Sequence, residues 1–271
     1  WIVEAVIEDL EVKRALYTRL DGVRREGSIV SSNTSTIPLS RLVEGLGDRF
    51  ARDFLITHFF NPPRYMRLLE IVAGPKTRAD AVDAVTEFAD LRLGKGVVMC
   101  KDTPGFIANR IGAFWMQSAV AAAQDLGLTV EEADAIVGRP MGIPKTGVFG
   151  LIDLVGLDLL PHVDRSLTAA LAKDDRYHQV RRDQPLMAKL IADGYTGRKG
   201  KGGFYRLSTE GGQRVKEAID LVTGEYRVAD RPRLDSVEAA KAGLRAMVEY
   251  PDKGGRYAWR VLAETLSYAA S

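Results

Sequence analysis

The first hundred positions alternate short apolar runs with amphipathic stretches. Ile2-Val3-Glu4-Ala5-Val6 is an apolar, strand-like run. From Glu8 to Arg25, Leu10, Ala15, Leu16, Leu20 and Val23 fall near one helical face, with charges between them. Ser28-Ile29-Val30-Ser31 reads as a short strand leading into the polar run Ser32-Asn33-Thr34-Ser35-Thr36. Phe54 to Phe60 reads as a buried strand stopped by Asn61-Pro62-Pro63, and Leu68 to Val72 as another, ended by Gly74-Pro75. Thr77 to Leu91 is helical in pattern, and Gly96 to Cys100 is a further strand. Strands spaced by helices predict an α/β sheet with crossover connections.

After Asp102-Thr103-Pro104-Gly105 the pattern turns helical. Phe106 to Leu126 is long and mostly apolar, and Gly127 supplies a C-terminal stop. Thr129-Val130-Glu131-Glu132 is a capping box that opens the next helix. Further helices are expected over Leu157–Leu171 and Pro185–Ala192. Gly197 to Gly203 is rich in glycine and cations, and Phe204-Tyr205-Arg206 closes the helical segment. Residues 207–235 are polar and read as a linker, with a weak strand at Glu225 to Val228. Gly105-Phe106-Ile107-Ala108-Asn109-Arg110 is echoed by Gly255-Arg256-Tyr257-Ala258-Trp259-Arg260, which suggests that a second helical copy begins there. The expected organisation is therefore an α/β domain over 1–101, an all-α domain over 102–206, and a linker with the start of a second helical repeat over 207–271.

The 271 residues fit two domains at roughly 150 residues each. With 46% hydrophobic residues the chain has material for a sizeable core, which excludes a disordered polymer. Lys and Arg number 38 against 36 Asp and Glu, so no global excess of cations points to nucleic acid or a membrane surface. No apolar run reaches the roughly 18 residues of a membrane span. The single cysteine, Cys100, cannot close an internal disulfide, which fits a reducing compartment such as the cytoplasm. The chain opens on Trp1 inside a strand-like run and ends inside a helix-like pattern, so both ends read as cut.

Among the three histidines, His58, His162 and His178, His58 is the most telling. It lies at the end of an apolar strand, where α/β sheets tend to place ligands. Glu70 lies within the next apolar strand, across the Asn61-Pro62-Pro63 turn. A carboxylate there is costly unless paired. If the turn lays the strands side by side, Glu70 meets the imidazole, fixes its tautomer and makes a general base. The bland alternative is a hydrogen-bonded core histidine. Ser35 and Asn109, taken singly, read as a turn residue and a local hydrogen-bonding residue. With the His58–Glu70 pair they would be neutral donors around a substrate oxygen. Ser35, His58 and Glu70 also permit a hydrolase triad, but Ser35 is not on a Gly-x-Ser-x-Gly elbow. Gly197 to Gly203 lacks the P-loop order of glycines before Lys-Ser/Thr, leaving a basic tail over an anionic cofactor and a solvated turn as equal readings.

Ser32-Asn33-Thr34-Ser35, His58-Phe59-Phe60-Asn61-Pro62, Leu69-Glu70, Lys101 to Phe106 with Asn109-Arg110, and Pro140-Met141-Gly142 together resemble the 3-hydroxyacyl-CoA dehydrogenase family over roughly residues 1–206. Arg139 to Gly147 and the partial helical echo resemble most the dehydrogenase part of bacterial multifunctional β-oxidation proteins. The resemblance implies a Rossmann-like nucleotide-binding domain followed by a helical C-terminal domain. It also implies NAD as cofactor, an acyl-CoA substrate, and a homodimer formed through the helical domain. By that resemblance His58 is the catalytic base, Glu70 its carboxylate partner, and Ser35 and Asn109 bind substrate. Glu8, Lys13 and Ser35 match positions at the nicotinamide–ribose end of NAD, and Lys199 matches a tail lysine that reaches the cofactor. The departure is the family's opening strand, Gly-x-Gly-x-x-Gly turn and acidic ribose ligand, which do not precede Trp1. The nucleotide-binding domain therefore reads as incomplete. Two rival readings remain: a non-catalytic fragment serving as a dimerisation or acyl-CoA-binding module, and a dehydrogenase of other hydroxyacids.

Overall fold

The computed structural model describes residues 1–143, 145–209 and 212–271. Pro144 of the Arg139 to Gly147 stretch, and Glu210 and Gly211 of the expected linker, lie outside the described residues. The chain divides into two compact units, Trp1–Arg110 and Ile111–Ser271.

The first unit is a five-stranded sheet in the order β1-β2-β3-β4-β5, formed by β1 (Ile2–Glu4), β2 (Val30–Ser32), β3 (Phe54–Phe59), β4 (Leu68–Ala73) and β5 (Gly96–Cys100). Strands β1, β2 and β3 run parallel, β4 returns antiparallel to β3, and β5 is parallel to β4. Helix α1 (Leu10–Val23) begins at Asp9, whose carboxylate accepts the Val12 amide at 2.9 Å. An acceptor at this position satisfies one of the amides that a helix N-terminus leaves unpaired. Short helices α2 (Leu39–Val43) and α3 (Asp48–Arg52) follow β2, and α4 (Ala79–Leu91) joins β4 to β5.

Tyr17, Phe50 and Phe54 are fully buried, with ring centroids 5.1 to 5.6 Å apart. Each such side chain removed from water contributes roughly 1.5–3 kcal/mol. At the start of β3, Asp53 bridges Arg24 at 2.6 Å and Arg78 at 2.7 Å, which ties helix α1 to the approach to α4.

Helix α5 (Ala108–Asp125) starts within the first unit, which runs to Arg110, past the expected domain boundary at 101/102. Its opening belongs there because Glu70 accepts the amides of Ile107 at 3.1 Å and Ala108 at 2.7 Å.

In the second unit α5 continues into α6 (Val130–Ile136), α7 (Phe149–Val155), α8 (Leu160–Ala170), α9 (Tyr177–Val180) and α10 (Pro185–Ala192). The Thr129–Glu132 capping box opens α6 with both reciprocal bonds formed. The expected linker is instead structured. Strands β6 (Tyr205–Ser208), β7 (Val215–Ile219) and β8 (Tyr226–Val228) form an antiparallel three-stranded sheet. The β7–β8 turn is closed by Asp220, whose carboxylate accepts the Val222 and Thr223 amides at 2.8 Å. Helices α11 (Asp235–Ala239), α12 (Leu244–Val248) and α13 (Lys253–Ala269) complete the unit. Ile219, Met247, Tyr257 and Val261 are buried in one cluster with Ala122, Ile136, Phe149 and Phe204. The segment after 207 therefore shares the helical core. No described helix is long and apolar enough to cross a membrane.

Candidate functional site

His58 and Glu70 are cross-strand partners in the antiparallel β3–β4 register. His58 Nδ1 lies 2.8 Å from Glu70 Oε2, and both side chains are buried. The other carboxylate oxygen, Oε1, accepts the Ile107 and Ala108 amides at the N-terminus of α5. Burial alone would raise the Glu70 carboxyl. The bonds from His58, Ala108 and Ile107 outweigh it and hold the group below its ordinary value. The positive end of the helix favours the same charge state. Because Glu70 is an anion, Nδ1 carries the proton that it receives, and the lone pair of the neutral ring sits on Nε2.

The approach to α5 is shaped for this contact. Gly105 and Phe106 both adopt positive φ, 71° and 48°. Such a backbone is uncommon for a residue with a β-carbon and is held by its surroundings. Here the Phe106 side chain is buried in the core of the first unit, and its ring centroid lies 5.7 Å from that of His58. Asn109 follows the Ala108 amide directly and is half-buried, with no side-chain hydrogen bond among the described residues.

A second polar cluster lies at the C-terminal ends of β1 and β2. Glu8 Oε1 accepts the Thr34 hydroxyl, the Ser35 amide at 3.0 Å and the Thr36 amide at 3.2 Å. Burial would raise the Glu8 carboxyl, but Thr34, Ser35 and Lys13 keep it below its ordinary value. Lys13 is 1% exposed. Its ammonium reaches Glu4 at 2.8 Å, Glu8 at 3.2 Å and the Val6 carbonyl at 3.4 Å. Three donors thus have three acceptors, so direct contact of Lys13 with a cofactor would require one of these bonds to break. In this geometry Lys13 positions Glu8. The Ser35 hydroxyl, half-buried, has no partner among the described residues. Lys199 belongs to the second unit and pairs with Asp158 at 2.8 Å.

Three contributors escaped the sequence reading. Glu4 is buried and accepts Lys13, the Tyr17 hydroxyl and the Ser32 hydroxyl. Burial would raise its carboxyl, but those bonds lower it on balance. Asn33 Oδ1 accepts the Phe59 amide at 2.9 Å, which ties the Ser35 loop to the residue after His58. Lys95 donates to the Pro63 carbonyl and, at 2.7 Å, to the Met66 carbonyl, clamping the turn between β3 and β4. A lone charge in an apolar run marks Glu4. Nothing local marks Asn33 or Lys95. Among the described residues, no group of three or more His, Cys, Asp or Glu is placed to hold a metal ion.

Comparison with known proteins fits this geometry. Residues 1–103 match the family model described as 3-hydroxyacyl-CoA dehydrogenase, NAD binding domain, and residues 105–207 match its C-terminal domain. A probable 3-hydroxybutyryl-CoA dehydrogenase of Deinococcus radiodurans is 34% identical over 205 residues, covering 76% of this chain and 70% of that protein. This chain belongs to the 3-hydroxyacyl-CoA dehydrogenase family. It is also similar to a putative fatty acid oxidation complex trifunctional enzyme of Rickettsia felis, 43% identical over 220 residues, which are 81% of this chain and 31% of that one. Among solved structures, M. tuberculosis FadB2 superposes with a TM-score of 0.67 at 32% identity, covering 76% of this chain and 70% of that chain. The chain spans about a third of the length of the curated relatives it matches first.

Proposed function

We propose that the chain carries the proton-transfer centre for NAD-dependent oxidation of an L-3-hydroxyacyl-CoA to the 3-oxoacyl-CoA, a step of fatty-acid β-oxidation. The observation that carries this reading is the His58–Glu70 pair, with its carboxylate anchored on the α5 amides. His58 Nε2 accepts the proton of the substrate 3-hydroxyl as the C3 hydrogen leaves with its electron pair. The imidazolium so formed is stabilised by Glu70, which stays ionised throughout. Ser35 and Asn109 hold substrate through neutral donors.

The donors present in the first unit suit the nicotinamide–ribose end of a dinucleotide. Glu8 is an anion rigidly held at the strand ends, and a carboxylate there accepts ribose hydroxyls. The Ser35 hydroxyl, which has no partner among the described residues, lies on the loop whose amides Glu8 accepts. NAD, when bound, supplies the hydride acceptor. The full chain assayed with NADH and acetoacetyl-CoA tests the reading. Saturable NADH oxidation supports it. Reduction of free 3-oxoacids without turnover of the CoA ester, or no turnover with either, removes it.

A further inference from the structure

The Gly197 to Gly203 loop divides its cations. Lys199 turns to Asp158, whereas Arg198 and Lys201 line a cleft of about 1100 Å³ within the second unit. Lys145, Arg206, Lys216 and Arg231 complete its cationic lining. These side chains come from four separate segments: the approach to α7, the glycine loop with β6, strand β7, and the stretch after β8. We propose that this cleft binds a diphosphate-bearing anion.

The loop beneath the cations is fixed. Gly197 donates to the Gly202 carbonyl at 2.7 Å, and Arg198 to the Asp153 carbonyl at 2.8 Å. The amides of Phe204 and Tyr205 both reach the Asp153 carboxylate at 2.8 Å. A β-carbon on Gly197 would lie 2.3 Å from the Asp153 carbonyl oxygen, and one on Gly203 would lie 2.0 Å from Asp153 Oδ1. Only glycine allows this approach, so Arg198 and Lys201 start from a backbone that cannot drift. Ligand charge is bound more tightly when the groups that meet it are already held in place.

The carboxylates of the lining are occupied elsewhere. Glu131 takes both arms of Arg227, at 2.8 and 2.9 Å, and also the Asp230 amide. Asp230 accepts the Arg231 amide. Asp134 accepts the Phe149 and Gly150 amides, and Asp153 those of Phe204 and Tyr205. Arg206 is neutralised by Glu217 at 2.6 Å. Lys145, Arg198, Lys216 and Arg231 form no close ion pair among the described residues; Arg198 and Lys216 act only at longer range on the Asp153 carboxyl, which burial pushes up to about 6. Cations distributed around one concavity match an anion with several oxygens on adjacent phosphorus atoms. The near balance of charge over the whole chain argues against a long polyanion.

Calorimetric titration of the full chain with inorganic pyrophosphate, and separately with ADP, tests the inference. It contains no acyl-CoA and no NAD, so its outcome is independent of the dehydrogenase reading. Saturable one-to-one binding is expected, weakened by added salt. Equal affinity for the two probes means that the bare diphosphate is read, and tighter ADP means that a nucleotide carries it. The pair Arg198→Ala with Lys216→Ala, and independently the pair Lys145→Ala with Arg231→Ala, should each weaken binding by about tenfold or more. All four side chains are exposed, so the variants should keep the wild-type melting temperature. Lys241→Ala, which removes an exposed cation paired with Glu238, should leave binding unchanged. Absence of saturable binding by both probes, or wild-type affinity in both double variants, overturns the proposal.

Discussion

Glu70 holds His58 from the neighbouring strand with one carboxylate oxygen and the first amides of α5 with the other. The two oxygens are not interchangeable in consequence. One sets the tautomer of the ring. The other joins the ring to the segment that carries Asn109. The sheet register, the strained turn at Gly105-Phe106 and the helix start all converge on one carboxylate.

Glu70→Gln separates charge from shape. The Gln carbonyl oxygen must still face the Ile107 and Ala108 amides, since turning the NH2 toward them would set donor against donor. That leaves the NH2 facing His58 Nδ1, which then has to accept. The ring proton moves to Nε2, and the lone pair proposed to act as base is lost. Turnover should fall by about two to four decades, as for His58→Ala, with little change in KM. Steady-state kinetics beside a circular dichroism melt checks this. Near-normal turnover in either variant would remove His58 from the role of base.

The His58–Glu70 pair was legible in the sequence. Glu70 stood out because a carboxylate inside an apolar strand needs a partner, and the proline turn made His58 that partner. Glu4 carries the same signal in Ile2-Val3-Glu4-Ala5-Val6, yet its partners Lys13, Tyr17 and Ser32 lie on a helix and a second strand, which no local spacing reveals. Asn33 and Lys95 act through backbone carbonyls and amides brought close only by the fold. The sheet β6–β8 was hidden for another reason. Its strands are short and interrupted by charged residues, with Ala218 and Ile219 as their fully buried residues. A segment with such short apolar runs reads as a linker until the core it covers is known.

Lys13→Met should be among the most damaging substitutions in the first unit. It leaves Glu4 ionised, buried and short of its strongest donor, a change that typically costs about 3–5 kcal/mol. The wild-type Glu4 carboxyl is depressed below 4.5 in the folded state, so its contribution is fully present above that pH and is lost as acid takes the pH down through the lower folded value. The variant removes the donor that favours the anion, so its deficit should shrink on acidification. Denaturant unfolding at several pH values measures this. A deficit that stays constant with pH would show that Glu4 is not held by Lys13.

The second unit holds a carboxyl with the opposite sign. Burial pushes Asp134 up to about 7, against the pull of the Phe149 and Gly150 amides and the Tyr205 hydroxyl. A carboxyl that binds its proton more tightly when folded stabilises most below its unfolded value. Stability from this group is then lost as pH rises from about 4 through about 7. Asp134→Asn does not titrate. Relative to wild type, the variant should be less stable at pH 5 and should recover ground by pH 8. Hydrogen exchange at the α6 amides at the two pH values reads the change. A difference that is flat, or that grows with pH, would contradict the assignment.

Cys100 lies near enough to Glu70 for the two to interact. Burial first, and the Glu70 charge second, push its thiol up to about 11. The thiolate is the reactive form, so a shift of about two units from the ordinary value leaves about a hundredfold less of it at neutral pH. The more basic thiolate is also the better nucleophile, so iodoacetamide should label the native chain about tenfold more slowly than the unfolded one. Glu70→Gln removes the anion while keeping the burial, and should speed labelling without raising it to the unfolded rate. Equal rates in wild type and Glu70→Gln would mean that the Glu70 charge is not felt at the thiol. That result would also question whether Glu70 is ionised beside His58, since both effects require the same buried negative charge.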